Sequence, residues 1–347
     1  MKKNILLIDD SALMRRVLSD IINASKEYQV TYEAANGFEG LNIIDQHDVD
    51  MIYLDMHMPK MNGVEFLRVL KENHVRIPVI IFSGYSKRDT KDTIDALALG
   101  ALDFIRKPEN ILRDRGDFEN MILESLRYAT GEKRTENSIP LERKTHTVTE
   151  KGNLGQGMLV ALACSTGGPK ALQELVPMLN SALQAPVVIV QHMPAGFTKS
   201  LADRLDALSA IHVKEAEDRE ILENGTVYIA RGGYHLTIAP CKHGHQVVYN
   251  TEPPVNGLRP CANYMYQSLE SSDYEKIICV VLTGMGADGT KGIQRLNSSK
   301  RIHVIAQDAA TSTIYGMPRA ITEAGMVDEI KPLNEIADAI IKQVGVQ

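Results

Sequence analysis

The sequence predicts two α/β domains in one chain, each built on a doubly wound parallel sheet, the second carrying an antiparallel hairpin. Three observations predict it: the length, an alternation of apolar runs with amphipathic stretches in both halves, and a polar segment between the halves. The chain has 347 residues, and single hydrophobic cores stop growing near about 250–300 residues, so two domains are expected. Hydrophobic residues make up 44% and charged residues 24%, the balance of a globular chain and not of a disordered one. Lys and Arg number 38 against 44 Asp and Glu, a net charge of −6. That mild acidity argues against a dedicated nucleic-acid binder, whose phosphate contacts need clustered cations. No apolar run approaches the roughly 20 residues needed to span a bilayer. The apolar stretch at Ile5–Ile8 is too short for a secretory signal and ends in two carboxylates. Cys164, Cys241, Cys261 and Cys279 are scattered with no C-x-x-C, which disfavours a disulfide framework. A cytoplasmic monomer without membrane insertion is expected.

In the first half the apolar runs are Asn4–Ile8, Val30–Ala34, Met51–Leu54, Ile77–Phe82 and Leu102–Ile105. Helical patterns lie between them, such as Ala12–Ile22 with Leu13, Val17, Leu18, Ile21 and Ile22 on one side. Such alternation implies parallel strands joined by crossover helices. A helix at about Asp117–Thr130 closes a domain spanning residues 1–130. From Gly131 to Asn153 the chain is polar with isolated apolar residues, so residues 131–153 read as a linker that cannot bury enough surface to fold. Alternation resumes in residues 154–347, at Met158–Cys164, Ala185–Val190, Thr226–Ala230, Ile277–Leu282 and Arg301–Ala306. Leu236–Ala239 and Gln246–Tyr249 read as a hairpin turning near Gly244. On it Cys241, His243 and His245 would share a strand face, a weak Zn²⁺ candidate, since three ligands on one short hairpin are more often incidental.

Ligands of open α/β sheets sit at the carboxyl ends of the strands. In the first domain those ends carry Asp9 and Asp10, Asp55, Ser83 and Lys107. Converging carboxylates repel unless a cation joins them, and oxygen-only ligation suits Mg²⁺. A hydroxyl and an ammonium opposite suit the oxygens of a phosphoryl group attacked by a carboxylate. Capping of the helix at Ala12 explains Asp9-Asp10 alone, but not the polar residues at three further strand ends. Leu7-Ile8-Asp9-Asp10-Ser11, Leu54 to Pro59, Ser83-Gly84 and Lys107-Pro108 resemble the pattern of two-component receiver domains. The resemblance implies Asp55 as phosphoacceptor and Asp9, Asp10, Asp55 and the backbone carbonyl of His57 as Mg²⁺ ligands. It also implies Ser83 and Lys107 as phosphoryl-binding groups and Phe104 as the aromatic switch.

In the second domain, separate strand ends offer Ser165 before a glycine-rich helix start, His192, and Asp288 within Gly284-Met285-Gly286-Ala287-Asp288-Gly289. These are a nucleophile, a base and an orienting carboxylate. Each alone reads as a cap or a satisfied core residue. The serine lacks the G-x-S-x-G elbow and the order is Ser–His–Asp, which excludes the α/β-hydrolase family. Gly284–Gly289 also fits G-x-G-x-x-G with Asp308 about 20 residues on, a Rossmann-like dinucleotide signal. Asp288 would then set a carboxylate where a pyrophosphate must bind.

The whole arrangement resembles the CheB family of chemotaxis protein-glutamate methylesterases. The resemblance rests on Ser165 to Pro169, Gln191 to Thr198, Pro253 to Gly257, Gly284 to Gly289 and Tyr315 to Arg319. It implies a Ser165–His192–Asp288 triad, the backbone N–H of Met285 at an oxyanion hole, and no cofactor for the esterase; an amide at the helix start near Thr166 would complete that hole. It further implies methylated chemoreceptors as substrates, glutamine deamidation as a second activity, and a chemotaxis histidine kinase as phosphodonor. Phosphorylation would relieve occlusion of the triad by the receiver. Cys164, Arg231, Ala309 and His57 depart from the usual residues of that family. The alternative is a receiver joined to a binding or adaptor domain.

Overall fold

The computed structural model describes residues 2–84, 86–107, 115–129 and 157–345. The chain divides into two compact units, Met1–Glu136 and Asn137–Gln347. The polar stretch 131–153 read as a linker lies outside the described residues.

The first unit carries strands β1 (Lys3–Ile8), β2 (Tyr28–Ala34), β3 (Met51–Asp55), β4 (Val79–Ser83) and β5 (Asp103–Arg106). Their helices are α1 (Ala12–Asn23), α2 (Gly37–Gln46), α3 (Gly63–Glu72), α4 (Lys87–Leu99) and α5 (Arg115–Ala129). The sheet is parallel in the order β2-β1-β3-β4-β5. Helices on both faces explain why Ile5–Ile8 and Ile52–Leu54 are apolar without alternation and almost wholly buried. The Tyr53 hydroxyl lies 2.7 Å from Ser125 Oγ and donates to the Ile122 carbonyl at 3.1 Å, tying β3 to α5. Strand order reverses between β1 and β3, the crevice where such sheets bind ligands.

The second unit carries β6 (Met158–Cys164), β7 (Val187–Gln191), β8 (His212–Glu215), β9 (Thr226–Ile229), β10 (His235–Cys241), β11 (Gly244–Asn250), β12 (Lys276–Val281), β13 (Ile302–Gln307) and β14 (Glu329–Lys331). Helices α6 (Gly168–Leu175), α7 (Phe197–Leu208), α8 (Ala262–Ser268), α9 (Thr290–Asn297), α10 (Met317–Glu323) and α11 (Leu333–Val344) connect or flank them. Seven strands form a parallel sheet in the order β14-β13-β12-β6-β7-β9-β8, while β10 and β11 pair antiparallel by themselves. The chain winds outward from β6 in both directions, so the ends of β6, β7 and β12 border one crevice. Beneath it the buried Tyr266 hydroxyl donates to the carbonyls of Ala161 on β6 and Val280 on β12, at 3.3 and 3.1 Å.

The expected α/β architecture and hairpin are both present, with element ends moved by one or two residues. The edge strands β8 and β14 were not anticipated. They are short, with one buried residue in β8 and none in β14, so neither leaves an apolar run. No described helix is long and apolar enough to cross a membrane.

The hairpin does not gather a Zn²⁺ site. Among the described residues the one group of carboxylate, imidazole or thiol ligands close enough to share a metal is Asp9, Asp10 and Asp55. His245 is instead buried, stacked on Tyr274 with ring centroids 4.0 Å apart, its Nε2 2.6 Å from Asp273 Oδ1. Burial lowers its pKa from the ordinary 6.5, Lys300 adds to the effect, and Asp273 only partly opposes it. The folded imidazole thus resists a proton that the unfolded chain accepts, so stability falls as pH drops below 6.5 toward the lowered folded value. Urea midpoints measured across that window should decline more for the native protein than for His245→Gln.

Candidate functional sites

Asp55 closes β3 and Asp9 and Asp10 follow β1, so the β1–β3 neighbours deliver all three carboxylates to one end of the sheet. One oxygen from each lies within 4.8 Å of the others. Asp9 and Asp55 are buried and Asp10 is exposed. Lys107, just beyond β5, reaches in with Nζ 2.8 Å from Asp55 Oδ1 and 3.0 Å from Asp9 Oδ2. Burial raises the Asp55 carboxyl above its ordinary pKa, an effect Lys107 reduces without cancelling. Burial pulls the Lys107 ammonium down, but the charges of Asp55 and Asp9 outweigh it and leave its pKa raised. One ammonium facing a carboxylate cluster leaves net negative charge, and the all-oxygen donor set suits a hard divalent cation.

Asp9 does not cap α1. That role falls to Ser11, whose hydroxyl accepts from Met14 N, while Asp9 Oδ1 accepts from Ser11 N at 2.8 Å. Ser83 ends β4 fully buried, its Oγ 2.6 Å from Thr93 Oγ1 on α4. Phe104 is half-buried on β5. His57 Nε2 lies 2.5 Å from Asp89 Oδ1, joining the loop after β3 to the first turn of α4. Asp89 also accepts from Ser86 N in the capping box of that helix. Thr93 and Asp89 went unnoticed in the sequence because each reads locally as an ordinary helix residue.

In the second unit, Cys164 and Gln191 are register partners on β6 and β7. Ser165 and His192 therefore leave adjacent strands side by side, about 5 Å apart in the backbone. Ser165 N donates to Thr283 O and His192 N to Cys164 O, at 3.0 and 3.2 Å. A Cβ at Gly284 would lie 2.9 Å from Ser165 Cβ and would strike Met317 Sδ. The glycine is what lets the β12 loop approach the serine. Gly167 has φ 77°, a left-handed conformation open to glycine at the entrance to α6.

His192 Nε2 bonds Asp288 Oδ2 at 2.8 Å, with both side chains only 6% exposed. Because a carboxylate only accepts, Nε2 carries the hydrogen and Nδ1 keeps the lone pair in the neutral ring. Nδ1 is buried and has no hydrogen-bond partner, so the Ser165 hydroxyl is not bonded to it in this conformation. Burial pushes the Asp288 carboxyl up, but bonding and charge from His192, with donors from Ala262 and Cys261, hold it below the usual carboxylate range. Met285 is half-buried beside this loop, and the Thr166 carbonyl accepts from Thr283 Oγ1 at 2.9 Å.

Gln191 was missed in the sequence. It is buried at the end of β7. Its Nε2 donates to the carbonyls of Ser165 (3.1 Å) and His192 (3.2 Å), and its Oε1 accepts from Cys164 Sγ (3.0 Å). One amide thus braces the peptides of both residues. A polar residue closing the apolar run Val187–Val190 was the available signal. Asp288 oxygens also accept from the Cys261 thiol and the Asn263 amide, residues 27 and 25 positions away, which no local pattern reveals.

Comparison with known proteins agrees with this architecture. The CheB methylesterase family profile matches residues 160–340, and the response regulator receiver domain profile matches residues 5–114. A protein of Oceanobacillus iheyensis named protein-glutamate methylesterase/protein-glutamine glutaminase is 40% identical, with 99% of each chain covered. A Geobacillus kaustophilus protein of the same name is 40% identical over 98% of each chain. The crystal structure of the Thermotoga maritima CheB methylesterase catalytic domain is 40% identical, covers 55% of this chain and 100% of its own, and superposes with a TM-score of 0.53. The chain therefore belongs to the CheB methylesterase family, with a response regulator receiver domain ahead of the methylesterase domain.

Proposed function

We propose that the chain is a phosphorylation-regulated esterase that removes methyl groups from glutamyl γ-methyl esters of chemoreceptors and deamidates their glutamines. The observation that carries the reading is the buried Asp288–His192 hydrogen bond, which leaves Nδ1 as the basic nitrogen of a residue that follows the strand adjacent to the one Ser165 follows. Ser165 Oγ attacks the ester carbonyl while His192 Nδ1 takes its proton. Asp288 fixes the tautomer and stabilises the imidazolium. N–H groups of Met285 and Thr166 receive the oxyanion. The C–OCH₃ bond then breaks, methanol leaves with the proton from Nδ1, and water activated by the same nitrogen hydrolyses the acyl-serine. With glutamine the departing group is ammonia and every other step is the same, with no cofactor.

In the receiver, Asp55 is the phosphoacceptor and a chemotaxis histidine kinase the donor. Asp9, Asp10, Asp55 and the His57 carbonyl would hold Mg²⁺, which when bound neutralises charge on the transferring phosphoryl group. Lys107, already on Asp55, exchanges a carboxylate oxygen for a phosphoryl oxygen. Ser83 reaches the phosphoryl group by leaving Thr93, which changes the packing of α4, and Phe104 turns with it. The work is cytoplasmic, where receptor tails and kinase meet, and the extents 1–130, 131–153 and 154–347 serve as receiver, tether and catalytic domain.

Loss of a nucleophile costs several orders of magnitude in rate. Ser165→Ala should therefore release methanol from methylated receptor at least about 1,000-fold more slowly than the native protein; release at the native rate would refute the nucleophile assignment. A small-molecule phosphodonor with Mg²⁺ should raise the native rate and leave Asp55→Asn unchanged. Equal rates in all four conditions would refute regulation through Asp55.

A further inference from the structure

We infer that Cys261 and Asn263, at the start of α8, are positioning residues that hold the Asp288 carboxylate in the orientation His192 needs. The inference rests on the triad reading above. Asp288 sits in the loop after β12, on a different element from everything it touches except Gly289. Its two oxygens have separate donor sets. Oδ2 accepts from His192 Nε2 at 2.8 Å and Ala262 N at 2.6 Å. Oδ1 accepts from Cys261 Sγ at 3.1 Å, Asn263 N at 3.1 Å, Asn263 Nδ2 at 2.6 Å and Gly289 N at 2.9 Å.

The division matters because of what the imidazole lacks. His192 Nδ1 has no hydrogen-bond partner, so the ring has one polar tether among the described residues, and that tether is Asp288 Oδ2. A carboxylate rotates about its terminal torsion over a broad, two-fold well. Whatever holds Oδ1 therefore fixes the plane of Oδ2, and through it the direction of Nδ1. Two of the four Oδ1 bonds come from side chains. The thiol is buried, and its pKa is pushed up to about 12 by burial and by Asp288, so it stays protonated and donates at neutral pH. The amide is itself fixed, because Asn263 Oδ1 accepts from Gly292 N of α9 at 2.7 Å. Asn263 thereby anchors the carboxylate to two helices at once. Each of these is a bond to a charged group, the stronger class of protein hydrogen bond.

A loosened Asp288 affects the proton-transfer steps and leaves substrate contacts alone, so the effect belongs in kcat and not in KM. The test is steady-state methanol release from a peptide carrying a glutamyl γ-methyl ester, with every full-length variant in the same phosphorylation state. Cys261→Ala should lower kcat about tenfold with KM unchanged. Cys261→Val, close in size to the thiol and lacking a donor, should do the same, whereas Cys261→Ser should restore most of kcat. Asn263→Ala should lower kcat further, and the double variant with Cys261→Ala should depart from additivity because the two share one acceptor. Native kcat in Cys261→Ala, or Cys261→Ser as slow as Cys261→Val, would overturn the inference. Asp288→Asn separates it from its foundation. If Asp288→Asn is severely slowed while Cys261→Ala and Asn263→Ala are not, the positioning role alone fails. If Asp288→Asn keeps the native rate, the triad reading fails and this inference with it.

Discussion

The second unit is organised around one buried carboxylate. Asp288 is charged, nearly inaccessible, and brought to the sheet crevice by a glycine-rich loop. An unpaired carboxylate there would be prohibitively costly. The structure answers with an imidazole, three backbone N–H groups, a thiol and an amide. These donors offset the burial and keep the group ionised. Once ionised and fixed it dictates the tautomer of His192, which decides which ring nitrogen is basic. The basicity of the site thus follows from a solvation problem solved at α8 and β12.

The first unit solves the related problem differently. Its carboxylates at the ends of β1 and β3 meet a single ammonium, Lys107. That pairing is incomplete, because Asp55 stays harder to ionise than an ordinary aspartate even with Lys107 beside it. The two sites differ in what their electrostatics leave over. Around Asp288 the charge is fully bonded and the geometry fixed. Around Asp55 negative charge remains, with Ser83 bonded to Thr93 and Lys107 shared between Asp9 and Asp55. The first arrangement suits a static acid–base pair, the second a pocket that changes state.

Much of this was legible in the sequence. The apolar runs of β1, β3, β4, β6, β7 and β12 are long because both faces of each strand are covered, and polar residues break those runs at the crevice. Asp9, Asp10 and Asp55 were therefore readable as one group, and the structure brings their oxygens within 4.8 Å. The edge strands β8 and β14 were not readable, since strands with so few buried positions leave no pattern. Neither were the hydrogen bonds that hold the site. Whether His192 meets Asp288 through Nε2 or Nδ1 depends on backbone placement, and the pairings of Cys164 with Gln191 and Cys261 with Asp288 span 27 residues each. Cys241, His243 and His245, read as more often incidental than metal-binding, are not gathered into a ligand set, and His245 instead stacks on Tyr274 and pairs with Asp273.

The proposed hydrolysis requires Asp288 and His192 together to make Ser165 a nucleophile. Covalent labelling with a serine-directed organophosphonate, mapped by peptide mass spectrometry, asks this without reference to any natural substrate. A single stoichiometric adduct at Ser165 is expected in the native protein and no appreciable adduct in His192→Gln. An unmodified Ser165, or equal modification with and without His192, would contradict it.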